Sequence, residues 1–480
     1  MVGAALVSVP LGAPSTPSGR ASAPSWRRAA RSLADIVFAL LVFVVAVSTL
    51  LRAAERVPFH GDESEWISAG RYFRFVFLDH DVTSQVWRPS WLNRDQPPVG
   101  RYVIGGIVWA SGTDPDRVNK TYAWEKEYAA NLQEGRVPTA AILMPVRRAM
   151  AVLGALSVVL LFVVGRLVGG TMAGGVSALL ATSSPLLQTY FVQARSEALL
   201  AFLSAVALVL LVWAARRSVA DGRLPRAAWV LGPVLGLALA TKLTAAVAII
   251  GVCAWAGVAG FVQLRAARSE AVTLIGWACG VGLLAAVVWV AVNPFLWPDP
   301  VGRTWSMLEQ QQSIMVEQGQ QFGNPVEEAL PGRLWLMVRR TFVDNSTPAF
   351  DYGAPPGSPP LIRRTFSDLP ALGGVSVELT LAVVGCALLV VRAWRGWRTS
   401  GRLGPESALL VWLAAYSIVI GANLSLDWPR YYVPTAFFGS LLVGIGVSWL
   451  WSLVFVRFTS RATRAVASPP AETAVRQPAR

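Results

Sequence analysis

From Leu33 onward the chain runs in long apolar stretches broken by short polar loops, the first being LADIVFALLVFVVAVSTLL. A helix needs about 17 to 25 apolar residues to cross a ~30 Å hydrocarbon core. Further runs of this kind recur near 141–168, 171–190, 194–215, 227–241, 243–264, 270–292, 374–392, 406–424 and 433–457. Backbone polar groups in lipid must be satisfied within their own segment, so the pattern predicts about ten transmembrane helices in an all-α polytopic membrane protein. The first run is too long for a signal-peptide core and no small-residue cleavage site follows it, so it is expected to stay as the first span.

Two long stretches interrupt the pattern, 53–140 and 293–373. Neither alternates like a set of strands, and both hold Trp-rich helical pieces. In ESEWISAGRYFRFVF, Trp66, Ile67, Gly70 and Phe73 recur at helical spacing, with Arg71 and Arg74 on another face. That is the pattern of a helix lying in the membrane interface. Residues 1–32 are rich in Ala, Ser, Pro and Arg with no acid, and 458–480 form a second basic stretch. Both read as disordered tails flanking one membrane domain, 33–457. No internal repeat at solenoid spacing is present.

Composition agrees: 54% of residues are hydrophobic and only 15% charged. The formal charge of +14 follows the helices. With the N-terminal tail inside, each predicted inside segment is basic, carrying Arg216, Arg217, Arg223 and Arg226, then Arg265 and Arg268, then Arg392, Arg395, Arg398 and Arg402, then Arg457, Arg461 and Arg464. The excess is orientation signal, and nucleic acid is not an expected partner. Both termini should be cytoplasmic and both long segments exoplasmic, on the outer face of a cell membrane. The preference for Arg over Lys points to a GC-rich bacterial source. Cys253, Cys279 and Cys386 all fall in apolar runs, where a thiol behaves as a small hydrophobe, and with only His60 and His80 no His-rich metal site is expected.

Candidate chemistry begins just after the first span, in PFHGDESEW, Pro58 to Trp66. Asp62 followed three residues later by Glu65 fits a capping-box start for a helix from Ser64. That leaves Glu63 unexplained, and the acids fall where a lipid-borne substrate would present its headgroup. Next comes NRDQPPVGRYVIGG, in which tandem prolines fix the backbone ahead of Arg101 at the mouth of an apolar stretch. At the predicted outer ends of spans stand Arg147, Arg148, Arg195, Glu197, Lys242 and Arg430. Charges there are costly in lipid and are usually functional. Lys242 stands out as a lysine in an Arg-rich chain, on the side where orientation asks for no cation.

An Asp-Glu pair after the first span, an amphipathic helix, then Asp95, Gln96, Pro97, Pro98, Val99, Gly100 and Arg101 resemble the polyprenyl-phosphate-dependent glycosyltransferases of the protein O-mannosyltransferase and aminoarabinose-transferase type (glycosyltransferase family 39, GT-C fold). Their motif reads approximately His-Pro-Pro-Leu-Ala-Lys, so Gln96 replaces the His and Arg101 the Lys. The resemblance extends over about 33–457 through RRAMAVLGALSVVLLFVVGRLVGG, VQARSEALLAF, GLALATKLTAAV, NPFLWPDP and DWPRYYVPTAF. It implies an inverting transferase that moves a hexosyl or pentosyl group from a polyprenyl-phosphate-linked donor to a hydroxyl of a glycan, lipid or protein. Asp62 is then the expected base, with Glu63 orienting the acceptor or a neighbouring cation. Lys242, Arg430, Arg101, Arg195 and Arg147 are expected on the donor phosphate, and Asp95, Gln96, Glu197 and Tyr431 on the acceptor or its loops. No cofactor is required when cationic side chains neutralise a monophosphate; a divalent cation is compatible with the scheme but nothing in the sequence indicates one. The rival class is a transporter or lipid flippase, which would carry its ionisable groups in mid-span and show internal repeats.

Overall fold

The computed structural model describes residues 25–466 apart from 222–223, 265–266, 323–325, 327–328, 344–354 and 356–375. Its helices are α1 (Ser25–Arg56), α2 (Gly61–Ser68), α3 (Trp91–Asp95), α4 (Val99–Ala110), α5 (Tyr128–Gln133), α6 (Ala140–Gly169), α7 (Thr171–Ser183), α8 (Pro185–Val192) and α9 (Glu197–Asp221). They continue as α10 (Leu231–Thr241), α11 (Ala246–Gln263), α12 (Arg268–Ala291), α13 (Pro300–Phe322), α14 (Leu330–Phe342), α15 (Val377–Ser400), α16 (Pro405–Ala422) and α17 (Pro429–Val466). The helix of the first span reaches back to Ser25 and that of the last runs on to Val466, both inside the stretches expected to be tails.

Among the described residues eight helices are long and apolar enough to cross a membrane, and two shorter apolar helical pieces, Val99–Ala110 and Arg226–Thr241, accompany them. The expected third span, 171–190, is broken into α7 and α8 at Ser184 and Pro185. Proline lacks the N–H that would continue the ladder and pushes the residue before it out of the helical region. Ser184 adopts φ −65°, ψ 115°, and its hydroxyl accepts the Leu187 N–H at 3.2 Å to start α8. The expected fifth span, 227–241, is a 3-10 turn, Arg226–Val230, leading into α10.

Helix α9 is apolar around its whole circumference, and a helix of that kind belongs inside a bundle. It packs between α6, α10 and α16, with Leu208, Leu211, Val212, Ala214 and Ala215 fully buried. Around it α6 packs against α1 and α7, α12 against α10 and α11, and α17 against α7 and α15. Lipid tails offer no hydrophobic drive between helices, so close backbone approach takes its place. Gly385 of α15 faces Leu442 of α17 so closely that a Cβ would lie 2.0 Å from the Leu442 carbonyl oxygen, and Gly446 meets Leu381 in the same way at 2.2 Å. All three cysteines are free.

The bundle has two chemically distinct ends. At one, Arg166 near the end of α6 pairs with Asp35 of α1, and Arg402 pairs with Glu270 at 2.7 Å. At the other, the helix termini and the 53–140 segment bring together most of the residues singled out from the sequence.

Candidate functional site

Helix α2 starts this site, and its cap differs in register from the expected one. His60, not Asp62, is the N-cap, with extended φ −123° and ψ 139°. The Asp62 N–H donates to His60 Nδ1 at 3.1 Å, while the His60 N–H donates to Glu63 Oε1 at 3.1 Å. The reciprocal partner is therefore Glu63, and Glu65 is left out of the cap. Burial, reinforced by the Arg195 charge, lowers the His60 pKa against the pull of Asp62, so the ring stays a neutral acceptor.

Glu63 is fully buried and both its oxygens are occupied. Arg147 Nη2 donates to Oε1 at 2.6 Å and Nε to Oε2 at 2.8 Å; the Ala194 N–H adds 2.8 Å to Oε2. Arg147 spends its remaining donors on the carbonyls of Ala54, Val57 and Pro58. From the sequence, Glu63 is expected beside Asp62 as a catalytic residue and Arg147 on the donor phosphate. The structure instead makes the two a buried clasp that ties α1, α2, α6 and the chain before α9 together. Arg101 departs in the same way: it is buried, donates to the Leu92 carbonyl at 2.7 Å and lies 5.4 Å from the Tyr72 ring centroid. In this position it supports the backbone of the α3 loop.

The other cations converge on Asp62. Arg195, in the turn between α8 and α9, places Nη2 2.7 Å from Asp62 Oδ2 and 3.6 Å from Glu197 Oε1. Lys242 sits where α10 ends, in extended conformation at φ −159° and ψ 136°, and its Nζ lies 2.9 Å from Glu197 Oε1. Arg430, in the first turn of α17, stacks 4.4 Å from the Trp428 ring and 5.4 Å from Tyr431, and donates to Gln318 of α13 at 3.2 Å. Burial would raise the Asp62 carboxyl, but Arg195, with Arg430 and Lys242 behind it, outweighs burial and holds the group well below the usual carboxylate range. A carboxylate so stabilised is a weak proton acceptor at neutral pH. Asp62, the base expected from the sequence, thus stands in an ion pair with Arg195 at 2.7 Å. Glu197 Oε2, Arg195 Nε and Ser196 Oγ are buried without a hydrogen-bond partner.

Asp95 closes the site from α3, accepting Gln311 Nε2 of α13 at 2.9 Å and Gln96 Nε2 at 3.4 Å. Burial raises its pKa against the Arg101 charge. Glu65, which the sequence offered only as a capping residue, faces the same space. Burial pushes its carboxyl up to about 7, with the charges of Asp62 and Asp95 adding to the rise and a hydrogen bond from Trp124 Nε1 at 2.7 Å opposing it. Trp124 carried no motif. It is placed by Asn131, whose amide bonds the Ala123 N–H at 2.8 Å and its carbonyl at 2.9 Å. The spacing of the two walls is set by backbone: a Cβ on Gly105 of α4 would lie 2.0 Å from the Gly70 carbonyl oxygen, just beyond α2. Among the described residues no group of three or more His, Cys, Asp or Glu is placed to hold a metal ion.

No protein-family model matches the sequence, and no curated protein matches it. Solved structures do. The oligosaccharyltransferase of Archaeoglobus fulgidus in its apo form superposes over 88% of this chain and 52% of its own, at 13% identity and a TM-score of 0.51. The fold is GT-C. The same archaeal enzyme in complex with an inhibitory peptide and a dolichol-phosphate matches at 13% identity over 90% of this chain and 52% of its own, TM-score 0.49. ArnT from Cupriavidus metallidurans bound to undecaprenyl phosphate matches at 16% identity over 90% and 66%, TM-score 0.46. The chain spans about half the length of the archaeal structures it matches. Within the GT-C fold, the cluster of Asp62, Arg195, Lys242 and Arg430 lies where helix ends from α2, α9, α10 and α17 meet.

Proposed function

We propose that the protein is a membrane glycosyltransferase that moves a sugar from a polyprenyl-phosphate carrier to an acceptor hydroxyl at the outer face of the membrane, with inversion at the anomeric carbon. One observation carries the reading: Asp62, Arg195, Glu197, Lys242 and Arg430 form a single charged cluster where α2 meets the ends of the apolar helices α9, α10 and α17, and cations so grouped suit a lipid-borne phosphate. The likeness to an oligosaccharyltransferase fold supports it.

The acceptor oxygen attacks the anomeric carbon as the bond from that carbon to the phosphate oxygen breaks. The electron pair leaves with the phosphate, and an α2 carboxylate takes the acceptor proton. Lys242, Arg430 and Arg195 stabilise the departing charge, as fixed cations in a poorly solvated site do. In this scheme Glu197 aims Lys242 and Arg195, Asp95 and Gln96 hold the loop over the acceptor, and Tyr431 packs against the Arg430 guanidinium.

The test is to incubate the detergent-purified protein with a panel of polyprenyl-phosphate hexoses and pentoses and to measure released polyprenyl phosphate. Release from at least one donor, slowed in Lys242→Ala at donor concentrations below the wild-type KM, is the expected result. A wild-type protein that consumes no donor in the panel overturns the reading.

A further inference from the structure

Resting on that reading, we propose that Glu65 and Trp124 form the acceptor subsite, in which Glu65 takes the proton of the attacking hydroxyl and the Trp124 indole holds the apolar face of a pyranose. The acceptor is thereby a glycan or glycoside rather than a peptide.

Asp62 and Glu65 stand three residues apart on α2 and so share a face, yet their surroundings differ. Asp62 is tied to Arg195 at 2.7 Å. Glu65 has no ion pair among the described residues, and its Oε1 accepts the Trp124 indole N–H at 2.7 Å. The charged groups around Glu65 are Asp62 of its own helix, Asp95 of α3, Arg101 of α4 and Arg195 before α9. Two anions and partial burial leave its carboxyl able to exchange a proton near neutral pH, which is what a general base requires.

Trp124 supplies the second half. It is 43% exposed, although three contacts fix it: its hydrogen bond to Glu65, an edge contact with His60 at 6.2 Å and a tilted contact with Tyr122 at 5.0 Å. Its six-membered ring lies over Gly61, where a Cβ would come within 2.6 Å, so only glycine at 61 lets the indole sit there. A rigid exposed indole whose own N–H orients a neighbouring carboxylate offers a sugar an apolar wall and a hydroxyl acceptor side by side. In the reaction the acceptor O–H bond breaks to Glu65, the oxygen bonds the anomeric carbon, and the phosphate leaves with the bonding pair. Glu65 then returns its proton to solvent.

The experiment uses the full chain in a non-glycosidic detergent, the active donor of the panel, and two acceptor probes: methyl α-mannoside and a Ser/Thr-containing octapeptide. Wild-type kcat/KM for the glycoside should rise with pH through about 7 and then level. Glu65→Gln should lower kcat about 10²- to 10⁴-fold and abolish that limb, whereas Glu65→Asp should keep a displaced limb. Trp124→Ala should raise the glycoside KM about tenfold without changing the donor KM. Trp124→Phe keeps the wall but removes the N–H, so the limb should move to higher pH at nearly unchanged KM. Wild-type kcat and pH profile in Glu65→Gln, an unchanged glycoside KM in Trp124→Ala, or turnover of the peptide alone overturns the proposal while leaving glycosyl transfer standing. If no donor is consumed at all, the transferase reading falls, and titrating methyl α-mannoside into wild type and Trp124→Ala still decides the subsite: equal heats overturn it.

Discussion

Replacing Arg147 with methionine keeps most of the side-chain volume but removes a guanidinium that makes five hydrogen bonds. Two go to Glu63, at 2.6 and 2.8 Å, and three to the carbonyls of Ala54, Val57 and Pro58, at 3.0, 2.6 and 3.0 Å. The variant leaves the buried Glu63 carboxylate with only the N–H groups of His60 and Ala194 and strips three carbonyls of their donor. Breaking a buried ion pair from one side costs about 3–5 kcal/mol, chiefly through the charge left behind. Glu63→Gln is milder, because Arg147 retains its three carbonyls, and should cost about 1.5–3 kcal/mol, the range of one charge-assisted bond. The double variant should cost less than the sum of the singles. Denaturant unfolding in mixed micelles, followed by tryptophan fluorescence, measures all three. Two single variants within about 0.5 kcal/mol of wild type, the range of an inert surface change, would refute the clasp. So would a Glu63→Gln protein of native stability that has lost turnover.

Lys242→Ala should raise the donor KM at least about tenfold with the glycoside KM unchanged, and equal donor KM values would remove Lys242 from the phosphate site. Glu197→Gln frees the Lys242 ammonium at 2.9 Å and should change donor KM and kcat together; an unaltered enzyme would show that Glu197 does not aim it. Stability should depend on pH with opposite signs at two acids. The Glu65 pKa rises from 4.5 to about 7 in the folded state, so the native protein holds the extra proton and this contribution falls as pH rises across that interval. The Asp62 pKa is depressed below 3.8, so its contribution is present above that pH and is lost as acid protonates it. Titrating unfolding of wild type, Glu65→Gln and Asp62→Asn separates the two slopes, and a Glu65→Gln protein that keeps the slope between 4.5 and 7 would refute the first. Gly105→Ala should abolish folded, active protein, since its Cβ would lie 2.0 Å from the Gly70 oxygen; native yield and turnover would show that this wall yields.

The spans and the cationic site were legible because both depend on local rules. Apolar run length predicts a helix in lipid whatever its neighbours, and Lys242, Arg195 and Arg430 stood out as charges at apolar ends. What sequence could not assign was which partner each charge finds. Glu63 and Arg147 are 84 residues apart in the chain and Asp62 and Arg195 more than a hundred, and no local pattern tells a clasp from an open site. The cap register likewise turned on the extended backbone at His60, which the acidic run masked by offering Asp62 and Glu65 at equally good spacing. Trp124 lay in a loop without periodicity, and only the fold of the 53–140 segment carries it to Glu65. The break at Ser184 is written in Pro185, which sits inside an apolar run otherwise long enough to cross a membrane.

The contact of Gly70 with Gly105 also bears on how such a protein changes over evolutionary time. The gap between the helix that carries the carboxylates and the helix that carries Arg101 is the thickness of two bare backbones, a dimension that no rotamer adjusts and no single substitution widens gradually. Descendants that take a new acceptor would therefore keep this spacing and vary the cover laid over it between Asn119 and Arg136, around the anchors Asn119 and Trp124 that hold Ser64 and Glu65 of α2.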